Sequence, residues 1–295
     1  MDAPAAVGSR RTAGWFGLYV RGLAMGIAEV VPGVSGGTIA FVSGIYQELI
    51  DTIAGLRPSA VVVLVRQGPR AFWHTHNLSF LLVLGAGMLT GIIIFSQLIA
   101  TWLAVARPVV WAFFFGVIAC SILVLGQPRE RRKFVLFAPL GVLAGVGFAQ
   151  LEPVSSSAGL WLYFVAGVIA VSAWLLPAIS GSFVLLIMGL YEGVIGALAG
   201  FQWPILFSLA AGCTVGLLAF ANLLSWLLHR YSEMLFSLLT GFMAGSLLRL
   251  WPWTVDRALS PEAYTVLTGQ NAWLVESVFA ALGGAIVVYL LTRLE

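Results

Sequence analysis

Long apolar runs separated by short polar or basic stretches organise this chain, and the few polar residues inside the runs gather in particular places. The first run, Trp15 to Val31, carries Arg21 and Glu29. At about 1.5 Å per residue it reaches roughly 25 Å, short of a hydrocarbon core of roughly 30 Å. Thr38 to Leu56 follows, with Glu48 and Asp51 towards its far end. The pattern predicts a re-entrant helical hairpin for this pair, with two thin spans as the other solution. The stretch from Arg57 to Asn77 is predicted as a loop. Leu78 to Val105 and Pro108 to Leu125 are strong spans, and Phe134 to Leu151 is a span containing Pro139. Leu160 to Leu176, Ile179 to Ala199, Pro204 to Leu228 and Met234 to Leu250 are four further segments, and Trp273 to Leu291 closes the chain.

The segments repeat. At an offset of 145, Pro32, Ser35, Gly36, Gly44, Tyr46 and Ile50 meet Pro177, Ser180, Gly181, Gly189, Tyr191 and Ile195. At an offset of 125, Gly87, Gly91, Phe95, Leu98, Gly116 and Ser121 meet Gly212, Gly216, Phe220, Leu223, Gly241 and Ser246. Each copy holds a motif-bearing pair and two spans. Such a set returns to its starting side, so the single span between the copies turns the second upside down. The expected fold is an all-α polytopic membrane protein with two inverted-topology repeats, an architecture that places substrate sites near the bilayer midplane. Its parts are an N-terminal tail (1–14), repeat 1 (15–126), a basic loop and linking span (127–151), repeat 2 (159–251), and an external loop with a C-terminal span (252–295).

Composition supports this class. The chain of 295 residues is 60% hydrophobic and 9% charged, against roughly 25% charged in soluble domains. Its net charge of +3 predicts no nucleic-acid partner, because the basic residues lie in short loops where they act as topology signals. With both termini cytoplasmic, Arg10, Arg11, Arg57, Arg66, Arg70, Arg129, Arg131, Arg132, Lys133, Arg230 and Arg293 fall inside, while Arg107, Arg249 and Arg257 fall outside. That asymmetry follows the positive-inside rule. Cys120 and Cys213 lie within apolar runs with no metal-ligand spacing.

The two broken elements carry the candidate chemistry. VPGVSGGTIA, from Val31 to Ala40, and PAISGSF, from Pro177 to Phe183, place proline, serine and glycine where helix would otherwise continue. Proline removes a backbone donor and glycine admits unusual dihedrals, so amides here can leave the helical ladder. In lipid such backbone is tolerated only where protein or a cavity covers it. Free amides from Ser35 through Gly36 and Gly37 to Thr38, with the hydroxyls, make an expected anion site, and Ser180, Gly181 and Ser182 supply its counterpart. Small residues for close helix packing are the plainer reading of such motifs, but recurrence of Pro, Ser and Gly in both copies favours a site.

Arg21 and Glu29 are eight residues apart, about two helical turns, and share a face. Arg21 is a candidate to neutralise an anion, or else an interfacial residue. Glu29 is the main candidate for coupling to H+ or Na+, with Glu192 and Glu48 as further coupling or gating candidates or solvated residues at a hairpin base. Pro32, Pro177, Tyr46 and Tyr191 are read as hairpin supports. Gln97 and Asn222, exact repeat partners, are read as bonding to the hairpins or as interhelical glue. His74, His76 and His229 are read as solvated loop residues. No nucleophile elbow, HExxH, Walker loop or paired Cys motif is present, so neither an enzyme nor a cofactor is indicated.

GLAMGIAEVVPGVSGGTIAFVSGIYQELI, from Gly22 to Ile50, with LLPAISGSFVLLIMGLYEGVI, from Leu175 to Ile195, closely resembles the PopT family of bacterial polyprenyl-phosphate transporters. The resemblance covers nearly the whole chain. It implies a plasma-membrane protein that moves undecaprenyl phosphate from the outer to the inner leaflet for reuse, with the phosphate at the two tips. Glu29 stands where the family leads one to expect aspartate, and Ala178 where it usually has glycine, which would stiffen the second tip. The alternative is a transporter of a small soluble anion such as phosphate. A lipid-phosphate hydrolase would need a nucleophile and general acid that the apolar segments lack, and a scaffold would leave the duplicated broken helices unexplained. Oligomeric state is not assigned.

Overall fold

The computed structural model describes residues 14–31, 34–57, 59–125, 130–151, 159–254 and 260–292. All regular structure in them is helical: α1 (Trp15–Val30), α2 (Gly36–Val42), α3 (Tyr46–Gly55), α4 (Ala60–Thr75), α5 (Leu78–Val105), α6 (Arg107–Leu125), α7 (Arg131–Ala149), α8 (Leu160–Leu175), α9 (Gly181–Ile187), α10 (Tyr191–Ala199), α11 (Trp203–Ser246), α12 (Pro261–Thr268) and α13 (Leu274–Leu291). Five of these, α5, α6, α7, α11 and α13, are long and apolar enough to cross a membrane. Large apolar side chains such as Leu89, Ile93, Leu143 and Phe279 stand exposed on their outer faces, as lipid contact requires. The protein is a polytopic helical membrane protein.

Each motif-bearing pair is more finely divided than the hydrophobic pattern predicts. The run from Thr38 to Leu56 forms two helices, α2 and α3, and the run from Ile179 to Ala199 forms α9 and α10. The turns between them use equivalent left-handed glycines, Gly44 at φ 74° and Gly189 at φ 69°, a conformation that any Cβ would disfavour. α9 and α10 are bent by 113° at their break, so the chain doubles back there. α2 is buried along its whole length, as expected of a helix apolar on every side. The stretch from Arg57 to Asn77, expected to be a loop, contains α4, because the valine-rich run from Ala60 sustains helix up to a break at Gly68 (φ 85°) ahead of Pro69. Pro204 to Leu228 and Met234 to Leu250 form one continuous element, α11, with a single non-helical residue, Tyr231. The stretch before the C-terminal span includes the short helix α12, capped by Ser260. Arg10, Arg11, Pro32, Arg129, Arg257 and Arg293 lie outside the described residues.

Glycines set the packing of the long helices, and they do so twice. On α5, Gly87 and Gly91 sit against the carbonyls of Tyr19 and Leu23 on α1, while Gly22 sits against Leu84. On α11, Gly212 and Gly216 sit against Phe164 and Val168 on α8, while Gly167 sits against Leu209. These are the same contacts shifted by 145 and 125 positions. Small residues let backbones approach to where dispersion and weak polar contacts hold helices together in lipid. The correspondence extends one helix beyond the sequence analysis, which counted two spans behind each pair. Gly116 on α6 meets Ala281 on α13, and Gly284 meets Phe113. In the same way Gly241 on α11 meets Ala138 on α7, and Gly141 meets Leu238. α7 and α13 are therefore matching elements at an offset of 143. Each packs on the opposite copy, so the linking and C-terminal spans clasp the two halves together.

Candidate functional site

The two broken motifs meet each other. Ser35 caps α2 from extended backbone (φ -125°, ψ 133°), its Oγ accepting the Gly37 amide at 3.1 Å and donating to the Trp174 carbonyl at 3.4 Å. Thr38, one turn later, receives the Ala178 amide on its Oγ1 at 2.7 Å, tying the first motif to the second. Tyr46, buried at the start of α3, donates its hydroxyl to the Leu175 carbonyl at 2.9 Å. Pro177 is buried in the turn between α8 and the second motif, where its missing donor leaves no orphan.

Glu29 occupies the centre of this contact. One of its oxygens, Oε1, accepts both the Gly36 amide at 2.6 Å and the Trp174 indole at 2.7 Å. Glu29 and Trp174 are themselves repeat partners, 145 positions apart.

This geometry corrects the expectation of free amides at the first tip. Gly36 is held by Glu29, Gly37 by the Ser35 hydroxyl, and the Thr38 amide by the Ser35 carbonyl at 3.0 Å. Ser35 and Thr38 have no exposed surface. A carboxylate stands where an anion was expected, and it satisfies the donors that a proline- and glycine-broken helix leaves open. The second tip is different. Ser180 and Ser182 pair their hydroxyls at 2.8 Å, Ser182 is exposed, Gly181 is half-buried, and Ser180 lines a small cleft with Arg249 and Phe183.

Ala178 lies between the end of α8 and the Ser180 cap of α9. It adopts φ 64°, a left-handed conformation that costs a residue with a Cβ roughly 1–2 kcal/mol. Ala178→Gly is expected to stabilise the protein by up to about 1 kcal/mol, less than the strain because glycine also gains freedom in the unfolded chain. Thermal unfolding in detergent measures this.

The remaining candidates divide. Arg21 is buried in α1 with 6% of its surface exposed, so it does not snorkel to an interface. Glu48 pairs with the Asn77 side chain at 2.9 Å, and Glu192 is exposed in the first turn of α10. Tyr191 is 38% exposed where its partner Tyr46 is buried, so only the first tyrosine braces the motif contact. Gln97 is exposed on α5, and Asn222 donates to the Leu218 carbonyl of its own helix at 2.7 Å, so neither amide reaches a hairpin. Regular helices on both copies turn these side chains away. His229, expected to be solvated, is exposed but lies 3.7 Å from Asp51, which also accepts the Ser225 hydroxyl at 2.6 Å. His74 is exposed and His76 half-buried. Among the described residues no cluster of three His, Cys, Asp or Glu side chains is placed to hold a metal.

Trp174 and Arg249 were not among the expected site residues. The repeat offset pairs Trp174 with Glu29, and an indole N–H within an apolar bundle requires an acceptor, so that link was available in the sequence. Arg249 gave no such signal, because a cation beside the tryptophans at 251 and 253 reads as an interfacial anchor.

Comparison with known proteins finds relatives that match most of this chain. A protein from Vibrio cholerae serotype O1, named a polyprenyl-phosphate transporter, is 38% identical over 94% of this chain and 96% of its own length. One of the same name from Staphylococcus aureus is 32% identical over 79% of this chain and 85% of its own. No solved structure matches. The family model described as undecaprenyl phosphate translocase-like matches residues 25–265, a span that holds both motifs and every contact between them, and the chain belongs to that family.

Proposed function

We propose that this protein is a carrier that moves polyprenyl phosphate, such as undecaprenyl phosphate, from the outer to the inner leaflet of the bacterial plasma membrane. The observation that carries the reading is the contact between the two motifs: hydroxyls, amides and one carboxylate from both copies converge where two helices are interrupted inside an apolar bundle. Irregular backbone at such a place serves substrates in transporters. The relatives' names favour a lipid phosphate over a soluble anion.

In the proposed cycle the two copies are inverted, both termini are cytoplasmic, and one copy rocks against the other. In this structure the first tip is closed by Glu29, while at the second tip Ser182 reaches the surface. Protonation of Glu29 weakens its hold on the Gly36 amide and the Trp174 indole, which then turn to the phosphate together with Ser35 and Thr38. This couples transport to H+; a Na+-coupled cycle would use the same carboxylate. The buried Arg21, two turns below Glu29 on α1, balances the added negative charge. The prenyl chain stays in the bilayer, along an apolar groove beside α1 formed by Ile27, Phe95, Ile99, Val110 and Phe113.

Ligand competition separates this from a carrier of soluble anions. Affinity is expected to rise with prenyl length, and inorganic phosphate is expected to displace the lipid poorly. Displacement by inorganic phosphate with indifference to chain length would instead establish the small-anion reading.

A further inference from the structure

The second motif faces a cationic mouth that the motif pattern did not contain. Arg249 follows the end of α11 and places its guanidinium 4.5 Å above the ring of Phe183 on α9. Its Nη1 makes one long hydrogen bond, 3.4 Å, to the Ala149 carbonyl. It shares a cleft with Ala178, Ser180, Phe183 and Ser246. Arg249 has no carboxylate partner among the described residues. Arg107, at the start of α6, is instead a second cation whose charge acts on Arg249. Arg107 is held over the ring of Trp111 at 5.3 Å.

A guanidinium with no carboxylate partner among the described residues favours an anion beside it. The Arg249 guanidinium is held over the Phe183 ring, and its fork suits the bidentate geometry of phosphate oxygens. The other polar side chains lining the cleft are the hydroxyls of Ser180 and Ser246, and Ser182 pairs with Ser180. We infer that Arg249 is the capture subsite for a phosphate monoester, which it delivers to Ser180 and Ser182. The inference rests on the proposed transport reading and extends it by separating a capture point at the second tip from the Glu29-controlled first tip. The two tips then differ in electrostatics, one guarded by an acid and the other by a base.

Binding to the purified full-length protein in detergent tests this, with a water-soluble short-chain prenyl phosphate and inorganic phosphate as separate probes. Arg249→Gln is expected to weaken prenyl phosphate binding roughly tenfold, the scale of one charge-assisted hydrogen bond, and Arg249→Lys to lose less because it keeps the charge without the fork. Added salt is expected to weaken wild-type binding more than that of Arg249→Gln. Thermal unfolding reports whether each variant is folded, and the conservative lysine variant carries the test if glutamine is not tolerated. Wild-type affinity in the folded variants overturns the inference. Wild-type protein that binds neither probe overturns it as well. Equal binding of both probes, lost together in Arg249→Gln, supports the mouth while removing the lipid preference from the transport reading.

Discussion

Leucine in place of Gly87 or Gly212 is expected to prevent recovery of folded protein, the largest effect of any single substitution considered for this chain. A Cβ at either position would be driven into a carbonyl of the facing helix, that of Tyr19 for Gly87 and of Phe164 for Gly212. Neither backbone can move away without opening the contact between α1 and α5 or between α8 and α11. Overpacking in a well-filled core costs about 1–3 kcal/mol when side chains can adjust, and a clash with backbone costs more. The change also pushes apart the helices that deliver Glu29 and Trp174. Gly85, Gly147 and Gly283 provide the control, since a Cβ there meets nothing within 4 Å; leucine at these positions is expected to leave the protein monodisperse. Size-exclusion profiles in detergent distinguish the two groups, and equal tolerance would contradict the duplicated glycine packing.

Removing the Glu29 carboxylate is expected to be the next most damaging change. Glu29→Ala leaves the Gly36 amide and the Trp174 indole without their shared acceptor. An unsatisfied buried donor costs roughly 1–3 kcal/mol, so the loss should be about 3 kcal/mol in total, since Trp174 is only half-buried. Glu29→Gln keeps an acceptor oxygen in place and is expected to lose only about 1 kcal/mol, the difference between a charged and a neutral acceptor. The two variants should also part in function. Glutamine cannot bind and release a proton, so transport by Glu29→Gln is expected to be independent of pH over the range where the wild type responds. Thermal unfolding and pH-dependent transport together separate the structural from the coupling role. Equal stability of alanine and glutamine variants would show that the two bonds to Oε1 carry little.

Much of this architecture was legible because lipid leaves few solutions. Leu78 to Val105 was read with the ends the structure gives to α5, since Asn77 precedes it and Arg107 and Pro108 open the next helix. The break at each motif was visible in Pro, Ser and Gly. The further division of each pair was signalled by Gly44 and Gly189, which recur before the matched tyrosines, but a glycine inside an apolar run is equally suited to packing. The fifth helix of each copy escaped because α7 and α13 correspond through small residues alone, Ala138 and Gly141 with Ala281 and Gly284, at an offset different from those of the other elements. α4 was missed because Arg57 to Asn77 carries enough polar residues, with Gly68 and Pro69, to resemble a loop.

At the site, the motifs told where polar groups would gather but not how they would pair. A serine and a run of glycines can present amides to a ligand or to a neighbouring carboxylate, and the sequence does not choose between them. The structure places Glu29, eight residues on from Arg21, against the first motif, which turns an open anion site into a closed one. The difference between the tips likewise depends on tertiary placement, because Arg249 approaches Ser180 from a segment 69 residues away.

The most direct test of the account is leaflet exchange of a fluorescent polyprenyl phosphate in liposomes containing the purified protein, run beside the double variant Ser35→Ala with Ser180→Ala. One serine from each motif is removed, and each change is small enough for the fold to persist, at about 1 kcal/mol for the loss of the Ser35 cap. The account predicts protein-dependent exchange by the wild type and its loss in the folded double variant. Exchange at the wild-type rate in the double variant would contradict a substrate site built from the two motifs, and a wild type that moves soluble phosphate but exchanges no lipid would contradict the carrier of polyprenyl phosphate.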